Sequence, residues 1–435
     1  MPSPARARFD DRPRPSRPVA GVLHLLARAA NDNAPSANLT STTEGAAAVG
    51  SNPALNLTTT FTPDSWGNVI ATEDPLSHTS NQTFDLDRRV VLAIAPDPGT
   101  GERPATKTTY DANGRATQVD KGWTNSTTAL SNPLETTTTA FDPNGNKTQV
   151  SVLDGTLGAA ALSVTQISYD GLNRVNCTAA RENSAVFGAL PDACTQSAGG
   201  PYGPDPITKI GYDLAGQELT ETRGYATPLA VPAYATFTWG PDGEKLSVTD
   251  ANTHTIHLGY DGFNRLNKIT HPDATTETSV YDPDGDLVIW TNRGGFGVVR
   301  CYDVLNRKIS ETGTTGASLS GACATGGTSN LATRSWDIQP RTFGYDLAGR
   351  LTAANIPGFG LSYAYDAAGR PTAMSNARSA IYGWDNAGNL NALTYPDGTT
   401  VVDYQYDPLN RTTKALIGTA SYGALTYDSL GRARP

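Results

Sequence analysis

The sequence predicts an all-β protein built from repeated antiparallel hairpins. A short motif that begins Tyr-Asp recurs along the chain, and the copies at Tyr260, Tyr281 and Tyr302 are spaced 21 residues apart. Gly (43) and Pro (29) are frequent among the 435 residues, whereas charged residues make up only 17%. This composition is typical of turns and strands. A motif that recurs at a fixed interval indicates architecture more often than an active site.

The first thirty residues differ from the rest of the chain. They hold six Arg, two Asp and five Pro, a composition that cannot bury an apolar face, so we predict a disordered leader over 1–37. The apolar run 19–30 loosely resembles a secretory signal, but His24 and Arg28 interrupt it. No stretch approaches the ~20 apolar residues that a membrane-spanning helix needs. The net charge of -9 gives no reason to expect a nucleic-acid partner.

Each copy of the motif reads aromatic residue, Asp, two free positions, Gly or Asn, and then often Arg. Thirteen copies begin at positions 110, 141, 169, 212, 239, 260, 281, 302, 345, 365, 384, 406 and 427. Gly and Asn tolerate a positive φ, and Asp can accept hydrogen bonds from backbone N–H groups two residues on. The motif therefore predicts a hairpin whose type I turn is closed by a left-handed residue. We assign this structural role to Tyr110, Asp111, Gly114; Tyr260, Asp261, Asn264; Tyr281, Asp282, Gly285; Tyr302, Asp303, Asn306; Tyr345, Asp346, Gly349; and Tyr365, Asp366, Gly369.

The residues on either side of each motif predict strands. Ile256 and Leu258 alternate with polar residues before Tyr260, as one face of a strand requires. Between motifs we expect a second, looser turn, for example at 272–273 and 294–295. Each unit is then strand, tight turn, strand and loose turn, and strands of six to eight residues span about 20–26 Å.

The spacing of the motifs predicts the domain organisation. The repeat array covers 106–435, and a part with eroded repeats or irregular structure covers 38–105. Two intervals between copies are 43 residues long, as if a unit had lost its motif or had taken an insertion. We place insertions at about 176–207 and 313–334, the first as a short helical excursion. Loops on a rigid scaffold are common binding sites, but these two loops do not reveal a ligand.

Four cysteines are present: Cys177, Cys194, Cys301 and Cys323. No CxxC pair occurs, which excludes a zinc ribbon and a thioredoxin-type motif. If the protein is exported, proximity in sequence predicts the disulfides Cys177–Cys194 and Cys301–Cys323. Four free thiols are the alternative in a reducing compartment.

The stretches YDANGRATQV, YDGLNRV, YDLAGRLTAA and YDAAGRPTAM resemble RHS repeats, also called YD repeats. The resemblance implies a spiralling antiparallel β-sheet that forms a hollow shell around a toxin in bacteria, with similar repeats in insect toxin complexes and teneurins. It implies a secreted or cell-surface scaffold that contains and delivers a toxin, with no enzymatic activity and no cofactor or metal. The chain stops at YDSLGRARP, so we expect a partial shell, an open strip without its own toxin. The expected partners are a toxin or remaining shell segments on another chain.

Alternative interpretations remain for several residues. Rows of Tyr and Trp can stack on sugar rings, so a surface protein that binds carbohydrate or a neighbouring cell is the second hypothesis, although cross-strand packing also explains such rows. The recurring Asp residues could be read as glycosidase carboxylates, yet a row of equivalent Asp residues fits turn capping better.

The run 282–286 resembles the opening of a calcium loop, but Arg293 stands where the bidentate Glu is needed. His254 and His257 would face opposite sides of a strand, which disfavours a shared metal.

Overall fold

A computed structural model describes residues 41–44, 57–155, 160–200, 203–228, 230–315, 341–427 and 433–434. Within these residues, thirty strands form one sheet and two short strands form another. The one helical element in the described part of the chain is the 3-10 turn Ser184–Val186. The prediction of an all-β fold is therefore confirmed.

The strands of the N-terminal part are β1 (Ser41–Glu44), β2 (Leu57–Pro63), β3 (Val69–Glu73), β4 (Thr79–Phe84), β5 (Val90–Ile94), β6 (Arg103–Tyr110), β7 (Ala116–Thr124), β8 (Asn132–Phe141), β9 (Lys147–Asp154), β10 (Ala161–Tyr169) and β11 (Val175–Arg181). The central strands are β12 (Ile207–Tyr212), β13 (Glu218–Arg223), β14 (Val231–Trp239), β15 (Lys245–Asp250), β16 (Thr255–Tyr260), β17 (Leu266–Thr270), β18 (Thr276–Tyr281), β19 (Leu287–Thr291), β20 (Phe296–Tyr302) and β21 (Lys308–Thr315). The C-terminal strands are β22 (Arg341–Tyr345), β23 (Leu351–Ile356), β24 (Phe359–Tyr365), β25 (Pro371–Ser375), β26 (Ser379–Trp384), β27 (Leu390–Thr394), β28 (Val401–Tyr406), β29 (Thr412–Ile417), β30 (Ala420–Ala424), β31 (Thr426–Tyr427) and β32 (Ala433–Arg434).

Every strand of the large sheet pairs antiparallel with the next strand along the chain, from β1 to β30. The sheet is thus an uninterrupted meander whose strand order is the chain order. A six-residue strand spans about 20 Å, which sets the width of the strip. All motif turns lie along one rim of the strip, because successive hairpin turns of a meander alternate between its two edges.

The motif turns are tight hairpins with a β-bulge. In one regular unit the Asp261 N–H donates to the Arg265 carbonyl (2.9 Å), and the Asn264 N–H donates to the Asp261 carbonyl (2.9 Å). The register shifts between Gly259 and Tyr260. In the twelve motif copies whose turn is described, φ at the fifth position lies between 58 and 95°. A type I turn followed by a left-handed bulge residue has this geometry.

The turns on the opposite rim are as tight as the motif turns in the most regular stretch, so the expectation of a looser turn is wrong there. The Asn292 N–H donates to the Phe296 carbonyl (2.8 Å), and Gly295 has φ 77°. Asn292 Oδ1 accepts the N–H groups of Gly294 and Phe296 at 2.9 and 3.0 Å, as the motif Asp does. In this turn the amide oxygen of Asn292 takes the place of the Asp carboxylate. The turn therefore has the motif geometry, but its sequence lacks the Tyr-Asp pair that marks the turns of the other rim.

The two long intervals between motifs contain insertions rather than a lost unit. Strand β11 pairs directly with β12, and β21 pairs directly with β22. The first excursion, 182–206, has a single 3-10 turn, so the expected helical excursion is limited to Ser184–Val186. The second lies within 316–340, outside the described residues, and β21 continues to Thr315, beyond the position where we expected the insertion to begin.

The first excursion is fastened to the sheet at both ends. Cys177 and Cys194 form a disulfide with a Cα–Cα distance of 5.2 Å. Arg181 and Asp205 form a 2.7 Å ion pair with side-chain exposures of 0% and 1%. Cys323 lies outside the described residues, so the pairing Cys301–Cys323 stays a prediction.

Buried apolar residues in the described part of the sheet are few. One cluster is formed by Leu92, Ile94 and Ala105, with Leu130 packed against them, and a second by Cys177, Ala179, Ala193 and Ile207, with Cys194 and Tyr225 packed against them. The other buried apolar residues lie outside these clusters: Val164, Val298, Val299, Cys301, Ala380 and Val402. Leu130 lies on the connection between β7 and β8, and Ala193 and Cys194 lie on the first excursion. The clusters therefore form where a connecting segment folds over the sheet, and elsewhere the backbone ladder and side-chain contacts between neighbouring units hold the strip.

The sheet curves back towards itself. Leu409 and Asn410, at the tip of a late motif turn, line a groove with residues of β4, β5, β6 and β7, including Ser80 and Ala105. A second groove is lined by residues between 98 and 104 and by residues between 385 and 413. Residues near β6 and β28 thus lie side by side although twenty-two strands separate them in the meander. The strip therefore completes about one turn of a spiral in these twenty-two strands, which are eleven hairpins.

The substitution Gly285→Val should destabilise the protein. Gly285 has φ +95°, and a Cβ placed there meets no atom within 4 Å, so the change acts through the backbone. A β-branched residue in this region costs about 1–3 kcal/mol. The urea unfolding midpoint measures the effect. Gly285→Asn is the matched control, because Asn holds this position in other copies; equal midpoints for the Val variant and the wild type would refute the turn assignment.

Candidate functional site: the joints between repeat units

The motif Asp organises its own turn and orients the Arg that follows. Asp261 Oδ1 accepts the backbone N–H groups of Phe263 (2.9 Å) and Arg265 (3.0 Å). Its Oδ2 accepts the Arg265 Nε–H at 2.7 Å. One carboxylate therefore closes the turn with one oxygen and fixes the guanidinium with the other.

The fixed guanidinium then contacts the next unit. Arg265 Nη1 donates to the Asp282 carbonyl at 3.0 Å, and its Cζ lies 4.7 Å from the ring centroid of Tyr281. In the reverse direction the Tyr281 hydroxyl donates to the Leu266 carbonyl at 2.9 Å. We call this set of contacts between consecutive motif turns a joint.

The bond from the aromatic residue recurs at every described motif copy except Phe141, which has no hydroxyl or indole N–H to donate. Its acceptor is always the carbonyl six residues after the preceding motif's first residue. The donor and acceptor pairs are Tyr110–Val90, Tyr169–Lys147, Tyr212–Val175, Trp239–Glu218, Tyr260–Lys245, Tyr281–Leu266, Tyr302–Leu287, Tyr345–Lys308, Tyr365–Leu351, Trp384–Pro371, Tyr406–Leu390 and Tyr427–Thr412. The two Trp use their indole N–H in place of a hydroxyl, so any ring with a polar end makes this bond. The joint at Phe141 keeps only the contacts of Arg115 with the ring and with the Asp142 carbonyl.

The guanidinium contact recurs wherever Arg holds the sixth position. The Cζ–centroid distances run from 4.4 to 5.7 Å for Arg89, Arg115, Arg174, Arg265, Arg307, Arg350, Arg370 and Arg411 over the aromatic residue of the next unit. At two joints Asn takes the place of Arg. Asn146 Nδ2 donates to Asn173 Oδ1, and Asn389 Nδ2 donates to Asn410 Oδ1, both at 3.0 Å. An amide pair thus forms an alternative contact between units.

The joints also span both insertions. The Tyr212 hydroxyl donates to the Val175 carbonyl at 2.8 Å, and the Tyr345 hydroxyl donates to the Lys308 carbonyl at 2.7 Å. Each pair is 37 residues apart in sequence, yet the geometry is that of units 21 residues apart. The insertions therefore leave the spacing of the units in the sheet unchanged.

The charges at the joints shift the titration of the motif residues. The hydrogen bond from the Arg265 side chain lowers the pKa of Asp261 below its ordinary value, and Arg174 does the same for Asp170. Burial raises the pKa of the Tyr345 and Tyr365 hydroxyls. Both shifts favour the joint at neutral pH, because the carboxylate stays charged and the phenol keeps the proton that it donates.

One joint reverses this pattern. Asp286 stands at the sixth position, where Arg is most common, and its N–H donates to Asp282 Oδ1 at 2.8 Å. Burial, with the negative charges of Asp282 and Asp284, raises the pKa of Asp286. The next hydroxyl bond, from Tyr302 to the Leu287 carbonyl, is retained at 3.1 Å. This joint keeps its aromatic bond but replaces an attractive charge pair with like charges.

The geometry bears on the competing interpretations of the motif. The motif Tyr hydroxyls are engaged with a neighbouring unit, and one ring face lies against a guanidinium at eight joints, which supports packing over a sugar platform. The motif Asp oxygens hold turn N–H groups and Arg, as at Asp261, rather than standing in pairs. Asp282 Oδ1 likewise accepts the N–H groups of Asp284 and Asp286. In the described ranges, no three His, Cys, Asp or Glu side chains are grouped as metal ligands.

Sequence reasoning missed the role of the Arg. The sequence shows that Arg is frequent at the sixth position of the motif. Its partners are the Asp of the same turn and the aromatic residue of the next unit, and the sequence alone does not bring these together. The available signal was that Arg, opposite in charge to the motif Asp, holds the sixth position in eight of the thirteen copies. The described residues also contain no helix that is both long and apolar enough to cross a membrane.

Comparisons with known proteins agree with this architecture. The RHS repeat family profile matches residues 241–276 and 365–400. A crystal structure titled TcdB2-TccC3-Cdc42 is similar with a TM-score of 0.55 and 13% identity, and the match covers 87% of this chain and 21% of that one. A crystal structure titled TcdB2-TccC3 gives the same TM-score and identity and covers 87% of this chain and 22% of that one. This chain thus spans about one fifth of the length of those structures. Curated proteins gave no significant sequence match.

Replacing Asp286 by Arg should raise the thermal unfolding midpoint. The new guanidinium would pair with Asp282 and lie over Tyr302, as at the regular joints, and it removes the repulsion among three carboxylates. Asp242→Arg is the matched control, because it makes the same change in net charge at an exposed tip of another motif turn, away from Asp282 and Asp286. If both variants change the midpoint equally, net charge and not the joint is responsible.

Stability should fall in acid below about pH 4, the ordinary range of an Asp carboxyl. The pKa of Asp261 and Asp170 is lower in the folded state, so their contribution is present above the unfolded pKa and is lost as the pH falls through the folded pKa. Thermal unfolding midpoints between pH 6 and pH 2 measure the loss. Asp261→Asn keeps an acceptor for the turn but cannot titrate, so its midpoint should depend less on pH; an identical pH dependence would contradict the assignment.

Proposed function

We propose that this chain, an RHS/YD-repeat protein, forms part of the wall of a hollow shell that contains and delivers a toxic polypeptide. The observation that carries the proposal is the single continuous meander of thirty strands, which curves until late turn tips and early strands line common grooves. A wall requires a sheet without gaps, and strand-to-strand pairing is uninterrupted from β1 to β30. The curvature supplies an enclosed side.

The chemistry of the motif favours a scaffold over an enzyme. Its carboxylates and aromatic side chains recur as equivalents and are used in turn closure and in the joints, as for Asp261 and Tyr281. An active site requires one or two carboxylates whose environments differ from each other. The repeat supplies many similar ones, so we assign it a mechanical role.

The proposed partners are the remaining wall and the enclosed polypeptide, carried at least in part by another chain. The two similar structures are complexes by their titles, and this chain spans about one fifth of each. We propose export to the cell surface or beyond. The disulfide between Cys177 and Cys194 supports an oxidising compartment.

The test is co-expression of the chain with the products of the adjacent reading frames. We expect a hollow particle in electron micrographs, with this sheet continuous with the sheet of its partner, and an enclosed polypeptide that resists added protease. A paired variant, Tyr281→Phe with Arg265→Ala, opens one joint and should make the enclosed polypeptide more sensitive to protease while the complex still purifies. A chain that purifies alone and binds cell-wall polysaccharide would contradict the proposal and support the carbohydrate-binding alternative.

A further inference from the structure

Six exposed apolar residues lie on the rim that carries the motif turns, two of them in the similar earlier turns that begin at Asp64 and Asp85. They occupy the third or fourth position of the turn, which is the hairpin tip. Their exposed fractions are 72% for Trp66, 101% for Leu86, 71% for Leu172, 108% for Leu214, 82% for Phe263 and 86% for Val304. Single exposed apolar residues are ordinary, but a row along one rim marks an interaction surface. We call these six residues the apolar rim.

The same tip positions are partly covered in a late unit. Pro408 and Leu409 are half-buried, whereas Leu172 and Phe263 are exposed. Leu409 lines its groove together with residues at the far ends of β4 to β7, next to the turns opposite the motif rim. Within one chain, a motif tip therefore lies across a groove from the strand ends on the opposite rim of an adjacent turn of the spiral.

The complementary surface is exposed in the late units. Near the turns opposite the motif rim, Ile356 is 36% exposed, Phe359 47%, Tyr395 45% and Tyr422 80%. We call these four residues the return end. One turn of spiral thus carries an uncovered apolar rim in its early units and an uncovered apolar return end in its late units.

We propose that a second copy of this chain docks its return end on the apolar rim. The contact repeats between molecules the arrangement of Leu409 beside the early strand ends within one molecule, and it extends the spiral by a turn. Two different surfaces meet, so the association is head-to-tail and does not close on itself. Each copy carries a net charge of -9, so added salt should strengthen the association by screening repulsion.

Complementation of two variants tests the proposal by light scattering after size exclusion. The rim variant carries Leu172→Ser, Leu214→Ser and Phe263→Ser; the return variant carries Phe359→Ser and Tyr395→Ser. The wild type should grow in mass with concentration and with salt, and each variant alone should remain a monomer. An equal mixture of the two variants should reach twice the monomer mass and stop, because one intact rim meets one intact return end. The variant Ile381→Ser, which changes an exposed residue within a strand, controls for loss of apolar surface and should associate as the wild type does.

Three outcomes overturn the proposal. A wild type that stays a monomer at every concentration shows that the rim is uncovered in solution. Variants that associate as strongly as the wild type place the contact elsewhere, for example at the edge of β30. Variants that stay monomeric alone and also when mixed show that the rim and the return end do not meet each other. Circular dichroism confirms that each variant is folded before its mass is interpreted.

Discussion

The structure depends on the joint, in which a carboxylate closes its own turn and holds a guanidinium that contacts the next unit. Asp261 uses one oxygen for backbone N–H groups and the other for Arg265, and Arg265 lies over the ring of Tyr281. An isolated salt bridge at the surface contributes little. Here the pair belongs to a chain of contacts in which each unit orients a side chain for its neighbour, so the contacts support one another along the rim.

A strip with so small an apolar core needs such contacts. The two buried clusters, around Leu92 and Cys177, each hold only a few residues, and most strands are half-exposed on both faces. In a repeat array stability is approximately a sum of unit terms and nearest-neighbour interface terms. The backbone ladder supplies one interface term, and the joint supplies a second at a constant place on the rim. Twist between strands then accumulates in one direction, which gives the sheet its curvature.

The sequence was sufficient for features that one unit determines by itself. Asp at the second position and Gly or Asn at the fifth predicted the turn, because turn closure and positive φ depend on residues within five positions. It was insufficient for features that need a neighbour. The function of Arg265 depends on Tyr281 of the next unit, and the groove at Leu409 depends on curvature summed over twenty-two strands. The tight turns of the opposite rim were missed because Asn292 and Asp250 cap them without a repeated signature.

The joint also explains how the array accepts insertions. Tyr212 bonds to Val175 across the first excursion with the same geometry that Tyr281 has with Leu266, so the intervening residues do not change the spacing of the units. The excursion is nevertheless fastened to the sheet by Arg181, whose five N–H groups all donate: Nε to Gln166, Nη1 to Thr195 and Asp205, and Nη2 to Pro191 and Asp192. A buried ion pair of this kind is tolerated only when further hydrogen bonds satisfy both partners. A regular sheet that carries one individual loop separates two tasks: the repeats keep the sheet continuous, and the first excursion gives one place on it a surface of its own.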